Sequence, residues 1–303
     1  MSANLPSLYV QQYATNVQLL LQQKGSKLRD RVTVGSYTGK QASPVDQIGA
    51  VSMQPVLSRF AAMGRVDAAV DRRWVFPSDF DLPQLIDSFD KLRLLTDPES
   101  SYVQNAVFAA GRQMDDLIIA AFFADAKTGE SGGTTTQFPT STSTNVVGVS
   151  LGGTTSNLSV TKLKRARRLL AANEVDLESD PITCVLTASQ EEALLNEYEM
   201  TSQDFNPGDR PVLKDGMLDR FLGMTFVRSE RLANGTDDAA GTSRAVPVFA
   251  RSGMHLGIWN DVSTDISQRK DLQGLPWQAY VYMTAGATRL EEKKIIRVWC
   301  RES

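Results

Sequence analysis

The chain has 303 residues, 42% of them hydrophobic and 22% charged, and a formal net charge of −3. It is long enough for one large domain or two small ones, each able to bury a core. The acidic balance argues against a protein whose overall field gathers nucleic acid, and no apolar run approaches the roughly twenty residues of a membrane span. The N-terminus, Met1-Ser-Ala-Asn-Leu-Pro, lacks a basic region followed by an apolar block, so no signal peptide is expected. Cys184 and Cys300 fall in expected strands and read as buried reduced thiols, in keeping with a soluble intracellular product.

Residues 5–24 are rich in Gln with spaced apolar positions and end at Gly25. They suit either a short amphipathic helix or an arm that orders only against a neighbour. Residues 31–76 read as extended structure with period-two stretches, a Gly39-Lys40 turn and frequent polar breaks. A helical pattern is expected over 79–95, ahead of a much longer helix over Pro98–Lys127. Proline in the first turn after Asp97 starts that helix, and Val103, Val107, Ala110, Met114, Leu117 and Ala121 recur along it as one buried stripe would. At 1.5 Å per residue it would run about 45 Å, more than a compact domain needs, so it should brace something extended.

Beyond Lys127 the Thr- and Gly-rich stretch to Thr144 reads as a flexible or hairpin-bearing surface loop. A compact α/β section follows, with a basic amphipathic helix over 159–172 and a buried strand over Ile182–Thr187. A capping box at Ser189–Glu192 should open a helix over Glu191–Glu199. A short helical turn and the strand Met224–Ser229 lie within 217–229. Two closing strands, Trp277–Thr284 and Lys294–Cys300, should be joined through Gly286.

Several motifs could carry chemistry. Gly129-Glu-Ser131-Gly-Gly133 matches the nucleophile-elbow spacing, with His255 the sole histidine, so a serine hydrolase using Ser131 and His255 is one formal reading. An elbow needs strand, sharp turn and helix, whereas here a long helix precedes and a Thr-rich loop follows, which favours a plain turn. One histidine and two distant cysteines cannot build a zinc site, and His255 among apolar neighbours reads as a satisfied, partly buried ring. Gly35–Gln41 and Gly148–Gly153 lack the spacing and partner residues of phosphate and dinucleotide loops. No catalytic, cofactor or metal residues are therefore expected. The concentrated positive charge of Lys162–Arg168 suits a solvated helix face or a protein contact. A nucleic-acid-binding module would want aromatic platforms or more cations. Asp71-Arg72-Arg73-Trp74 offers residue types favoured at interface hot spots, or else a strand with solvated arginines.

The order of arm, extended loop, helix, long helix, α/β section and closing strands resembles the major capsid proteins of tailed phages with the HK97 fold. The wording of Phe89–Ala106, Gly111–Ala121 and Thr128–Thr134 looks like the spine-helix region of one such family, and Asp46-Gln-Ile-Gly and Gly286-Ala-Thr-Arg-Leu are similar to it as well. The resemblance implies an α+β, HK97-like capsid fold. Its parts would be an N-arm over 1–30, a β-hairpin E-loop over 31–78, a P-domain over 79–157 and 268–303 around the spine helix, and an α/β A-domain over 158–267. It implies a coat protein that assembles into pentamers and hexamers of an icosahedral head around double-stranded DNA, contacted non-specifically on the inner face. Portal and decoration proteins would be partners, and assembly would take place in the host bacterial cytoplasm, with no membrane involved. Members with a cleaved N-terminal scaffolding segment begin well before the arm, so either that segment was never encoded here or a separate scaffolding protein is expected. Lys40 is the only lysine of the implied E-loop, and no crosslinks are expected. Candidate subunit contacts are Arg72, Arg73, Trp74, Arg59, Tyr9 and Tyr13.

Overall fold

The computed structural model describes residues 22–55, 64–86, 99–142, 144–151, 154–201, 218–235 and 243–302. Expectations over 5–21 and 87–95 lie outside the described residues. In chain order the N-terminal half contains β1 (Thr33–Ser36), β2 (Ala42–Ile48), β3 (Val70–Val75), β4 (Ser78–Ile86), α1 (Glu99–Phe123), β5 (Ala126–Thr128), β6 (Thr134–Thr136), β7 (Val146–Val147), β8 (Ser150–Leu151) and β9 (Thr154–Thr155). The C-terminal half contains α2 (Val160–Ala172), β10 (Ile182–Leu186), α3 (Ala188–Leu195), α4 (Tyr198–Thr201), β11 (Arg220–Phe221), β12 (Met224–Arg228), β13 (Asn234–Gly235) and β14 (Ser243–Ala250). It closes with β15 (Met254–Gln268), β16 (Trp277–Arg289) and β17 (Ile295–Arg301). The contacts divide into two units.

The larger unit comprises residues 27–78, 113–259 and 284–303. Its core is a sheet in the order β11-β12-β10-β14-β17-β7, with β13 paired to β14. Strand β10 is buried at every position, as a near-continuous apolar run in a covered sheet should be. Helix α2 packs on β17 and β7 through Val160, Leu163, Ala166, Leu169 and Leu170. Its N-cap Ser159 accepts the Lys162 backbone N–H at 3.3 Å, closing one of the first turn's orphan donors. The capping box of α3 lies two residues earlier than the sequence suggested. Thr187 is the N-cap and Gln190 reaches back to it, because the buried strand ends at Leu186 and the helix must start at once. Cys184 and Cys300 are free and fully buried, and burial pushes the Cys300 thiol up to about 12.

One further reading changes in this unit. Gly286 lies within β16 and joins no strands. A Cβ there would stand 2.1 Å from the carbonyl oxygen of Phe76, so only glycine admits that close approach. The Thr-rich stretch forms the hairpin β5–β6, with Gly129–Gly133 as its turn. Gly132 there has φ +75°, and a Cβ would press on the rings of Trp74 and Phe76 at 3.2 and 3.1 Å.

The smaller unit comprises residues 1–26, 79–112 and 260–283. The stretch expected to be helical from Asp79 is strand β4 as far as Ile86. Asp79-Phe-Asp-Leu alternates polar and apolar, and Pro83 is tolerated because β4 is an edge of the sheet β1-β15-β16-β4. Tyr280 and Tyr282 stack with ring centroids 5.3 Å apart, and the Tyr280 hydroxyl reaches Asp81 at 3.4 Å. Within this unit the chain at Gly25–Ser26 crosses the long helix at Gly111. A Cβ on Gly111 would meet Gly25 C at 2.5 Å and Ser26 N at 2.7 Å. Arg112 secures the crossing by donating to Gln22 Oε1 (2.7 Å) and to the Gln23 carbonyl (3.2 Å).

Helix α1 stops at Phe123, four residues short of the expected end, and the chain turns directly into β5. Its residues 113–123 belong to the larger unit. There Asp115, fully buried, accepts the backbone N–H of Lys27 (3.2 and 3.1 Å) and of Leu28 (3.1 Å). A charged acceptor satisfies two donors that no strand or helix serves.

Candidate assembly surface

Strands β2 and β3 form an antiparallel ribbon in the larger unit, with Ile48 opposite Val70, Asp46 opposite Arg72 and Val45 opposite Arg73. A register shift between Ala42 and Val45 is a bulge at its root. Among the described residues only Arg73 and Trp74 of β3 pair onward to β5, so beyond them the described ribbon is two-stranded. A bond from Gly49 N to the Ala69 carbonyl (2.6 Å) carries the pairing past Ile48.

Beyond its root, the described apolar side chains of this ribbon face water. Ile48 is 74% exposed, Val51 61%, Met53 101%, Val66 48% and Val70 72%. A two-stranded ribbon is marginal in water without a third layer. Each of these side chains would gain about 1.5–3 kcal/mol from full burial. Such a surface calls for a partner.

The root holds the predicted Asp71–Trp74 segment and treats its members differently. Arg72 is a forked pair across the ribbon, Nε to Asp46 Oδ1 at 2.5 Å and Nη2 to Asp46 Oδ2 at 3.1 Å, with both side chains largely exposed. Its guanidinium lies over the Trp74 ring at 5.7 Å. Trp74 Nε1 donates to the Gly129 carbonyl at 2.7 Å, and Asp71 accepts the Gly129 N–H at 3.1 Å, so the Gly-Glu-Ser-Gly-Gly turn buttresses the ribbon. Arg73 is 4% exposed and pairs with Glu292 at 2.8 Å within the same chain. Arg59, Tyr9 and Tyr13 lie outside the described residues.

The structure does not bring the hydrolase pair together. Ser131 is exposed in the β5–β6 turn, while His255 lies in a different sheet, at the start of β15. Thr33 Oγ1 donates to the Met254 carbonyl (2.6 Å) and so accepts from His255 Nδ1 (3.0 Å). Nε2 then accepts the Tyr37 hydroxyl (2.9 Å). Both ring nitrogens are thereby occupied, and burial lowers the His255 pKa to about 4. The basic helix also presents less free positive charge than its residues suggest. Lys162 is fully buried, donating to the Ser156 and Trp299 carbonyls at 2.6 and 2.8 Å. Arg167 is bound to the Leu222 carbonyl, and Lys164 pairs with Glu199. That leaves no continuous cationic stripe for a phosphate backbone. No cluster of three His, Cys, Asp or Glu side chains suited to a metal ion occurs among the described residues, and no described helix is long and apolar enough to cross a membrane.

The family model for phage capsid protein matches residues 5–302. Among solved structures, the capsid of cyanophage Pam1 superposes with TM-score 0.77 at 12% identity, covering 99% of this chain and 98% of that one. The capsid of cyanophage P-SCSP1u gives 0.73 at 16% identity with 100% and 96% covered, and that of Ralstonia phage GP4 gives 0.71 at 12% with 98% and 96% covered. Comparison with curated proteins returns no match.

Proposed function

The chain belongs to the phage capsid protein family and is a structural, non-enzymatic protein of the virion shell. From that premise we propose that it builds an icosahedral head from its own pentamers and hexamers around double-stranded DNA, with the HK97 division of parts. On this reading residues 1–30 are the N-arm and 31–78 the E-loop. Residues 79–157 and 268–303 make the P-domain around α1 as spine, and 158–267 are the A-domain at the centre of each capsomer. A scaffolding protein, portal and decoration proteins are its partners, and it assembles in the host bacterial cytoplasm.

The observation that carries this proposal is the ribbon, a two-stranded arm whose apolar side chains Ile48, Val51, Met53, Val66 and Val70 are exposed. A shell tile must offer complementary patches on several edges, and an arm laid on the neighbouring tile gives such residues a place to be buried. Arg72 and Trp74 sit at the arm's root, where a neighbour's edge would meet it. The test is to place charge on the arm with Ile48→Lys and Val70→Glu, opposite signs at facing positions so that the ribbon's own pairing is kept. We expect particle yield to fall more than tenfold while the monomer's unfolding midpoint stays within about 1 °C, because surface changes away from packed features cost little. Undiminished assembly of the double variant would remove the ribbon from the interface.

A further inference from the structure

Three charged side chains meet at the root of the ribbon. Glu292 Oε2 accepts from Arg73 Nη2 at 2.8 Å, and Glu292 Oε1 lies 3.3 Å from Arg289 Nε. The side chains of Arg73, Arg289 and Glu292 are 5%, 0% and 16% exposed. One carboxylate therefore serves two guanidinium groups away from water.

The two arginines are not equally held. Arg289 also donates to the carbonyls of Phe122 (3.1 Å) and Ala124 (2.7 Å) at the end of α1, and to that of Thr136 on β6 (3.1 Å). Its guanidinium lies over the Phe138 ring at 5.3 Å. Arg73 has the Glu292 contact, while its Nε and Nη1 are buried with no hydrogen-bond partner among the described residues. Buried donors left unpaired carry a desolvation cost that release into water would relieve. The Arg73 end is thus the weaker end of the cluster.

The segment carrying Glu292 is itself a crossroads. Gln47 of β2 donates to the Leu290 carbonyl at 2.5 Å, Leu290 N donates to the Gly253 carbonyl at 2.9 Å, and Asn145 Nδ2 donates to the Glu292 and Ile295 carbonyls. Asn173, the C-cap of α2, donates to the Lys293 carbonyl at 3.0 Å. Ribbon, helix end and central sheet all terminate on six residues.

We propose that Glu292 is a latch: engaged with Arg73 it fixes the angle at which the ribbon leaves the subunit, and disengaged it lets the ribbon pivot at the bulge between Ala42 and Val45 while the central sheet stays folded. Buried ion pairs contribute little net stability but are well suited to selecting between two arrangements, which is the role assigned here. That the ribbon's angle matters in a shell rests on the reading in the preceding subsection. The latch itself is a property of the single chain and is tested there.

The experiment is amide hydrogen exchange on the full-length chain carrying Glu292→Gln or Arg73→Gln. Gln at 292 leaves two unneutralised guanidinium groups, whereas Gln at 73 frees the ribbon and leaves Arg289 with its carboxylate. Both variants should speed exchange in 42–48 and 70–75 by about tenfold or more, as expected for losing one buried charge-assisted bond. Exchange in 243–250 and 295–301 should not change. Unchanged ribbon exchange in either variant, or a rise spread evenly over the central sheet, overturns the latch. Should Glu292→Gln fail to fold, Arg73→Gln decides alone. Particle assembly is scored separately, so a latch that fails in a chain that still assembles leaves the shell reading intact.

Discussion

Replacing Gly111 with alanine sets two physical effects against each other. Helix propensity alone predicts a gain of about 1 kcal/mol, since glycine inside a helix is costly. The structure predicts a loss. The new methyl carbon would stand 2.5 Å from Gly25 C, 2.6 Å from Gly25 Cα and 2.7 Å from Ser26 N. Non-bonded carbons rest at about 3.5 Å or more, so the crossing segment must retreat by about 1 Å. Arg112 holds that segment through bonds of 2.7 Å to Gln22 and 3.2 Å to Gln23, and such a retreat carries both out of range. Two charge-assisted bonds at about 1.5 kcal/mol each outweigh the propensity gain, leaving a net loss of about 2 kcal/mol. Urea unfolding of the full-length chain measures the sum, and hydrogen exchange over residues 22–26 should rise locally. An alanine variant as stable as the parent, or more so, would refute the crossing.

Asp115→Ala removes the acceptor of the Lys27 and Leu28 amides and should cost about 3 kcal/mol, with Asp115→Asn costing about half; thermal unfolding of both variants checks the order. The His255 pKa is lowered from 6.5 to about 4, so the unfolded chain takes up a proton that the folded chain refuses as pH falls. Stability should be unaffected by this group above pH 6.5 and decline from there toward pH 4, by up to about 3 kcal/mol in total. A His255→Gln variant should show a flatter stability profile between pH 6.5 and 5, and an unchanged slope would contradict the buried neutral ring.

What the chain disclosed in advance follows physical reach. The long helix was legible because a proline just ahead of it and apolar residues at three-and-four spacing are local signals, but its buried side runs through Ala106, Met114, Ile118 and Phe122; of the expected stripe only Met114 is buried, and Val107 is exposed. Its end was not legible, because Arg289, far away in the chain, takes the carbonyls of Phe122 and Ala124. Residues 79–86 satisfy both a helical and an alternating pattern, and pairing with a strand some two hundred positions later decides the matter. Gly286 looked like a turn because the backbone it must admit, at Phe76, is invisible locally. The same holds for the assembly surface. The Arg72–Trp74 segment stood out by residue type, but the sequence offered no sign that Arg73 would be buried against Glu292, 219 positions on. Lys162 likewise read as surface charge and is a core cation tied to the last strand. The exposure of Ile48, Val51 and Met53 was legible only as frequent breaks in a weak strand pattern, for which an unpartnered ribbon is the cause.

Self-assembly is the decisive property of this chain. The full-length chain, purified alone and after co-expression with the scaffolding protein proposed as its partner, should be sized by light scattering and imaged by electron microscopy. Ring-shaped capsomers or closed megadalton particles are the predicted result. A strictly monomeric protein under both conditions would contradict it.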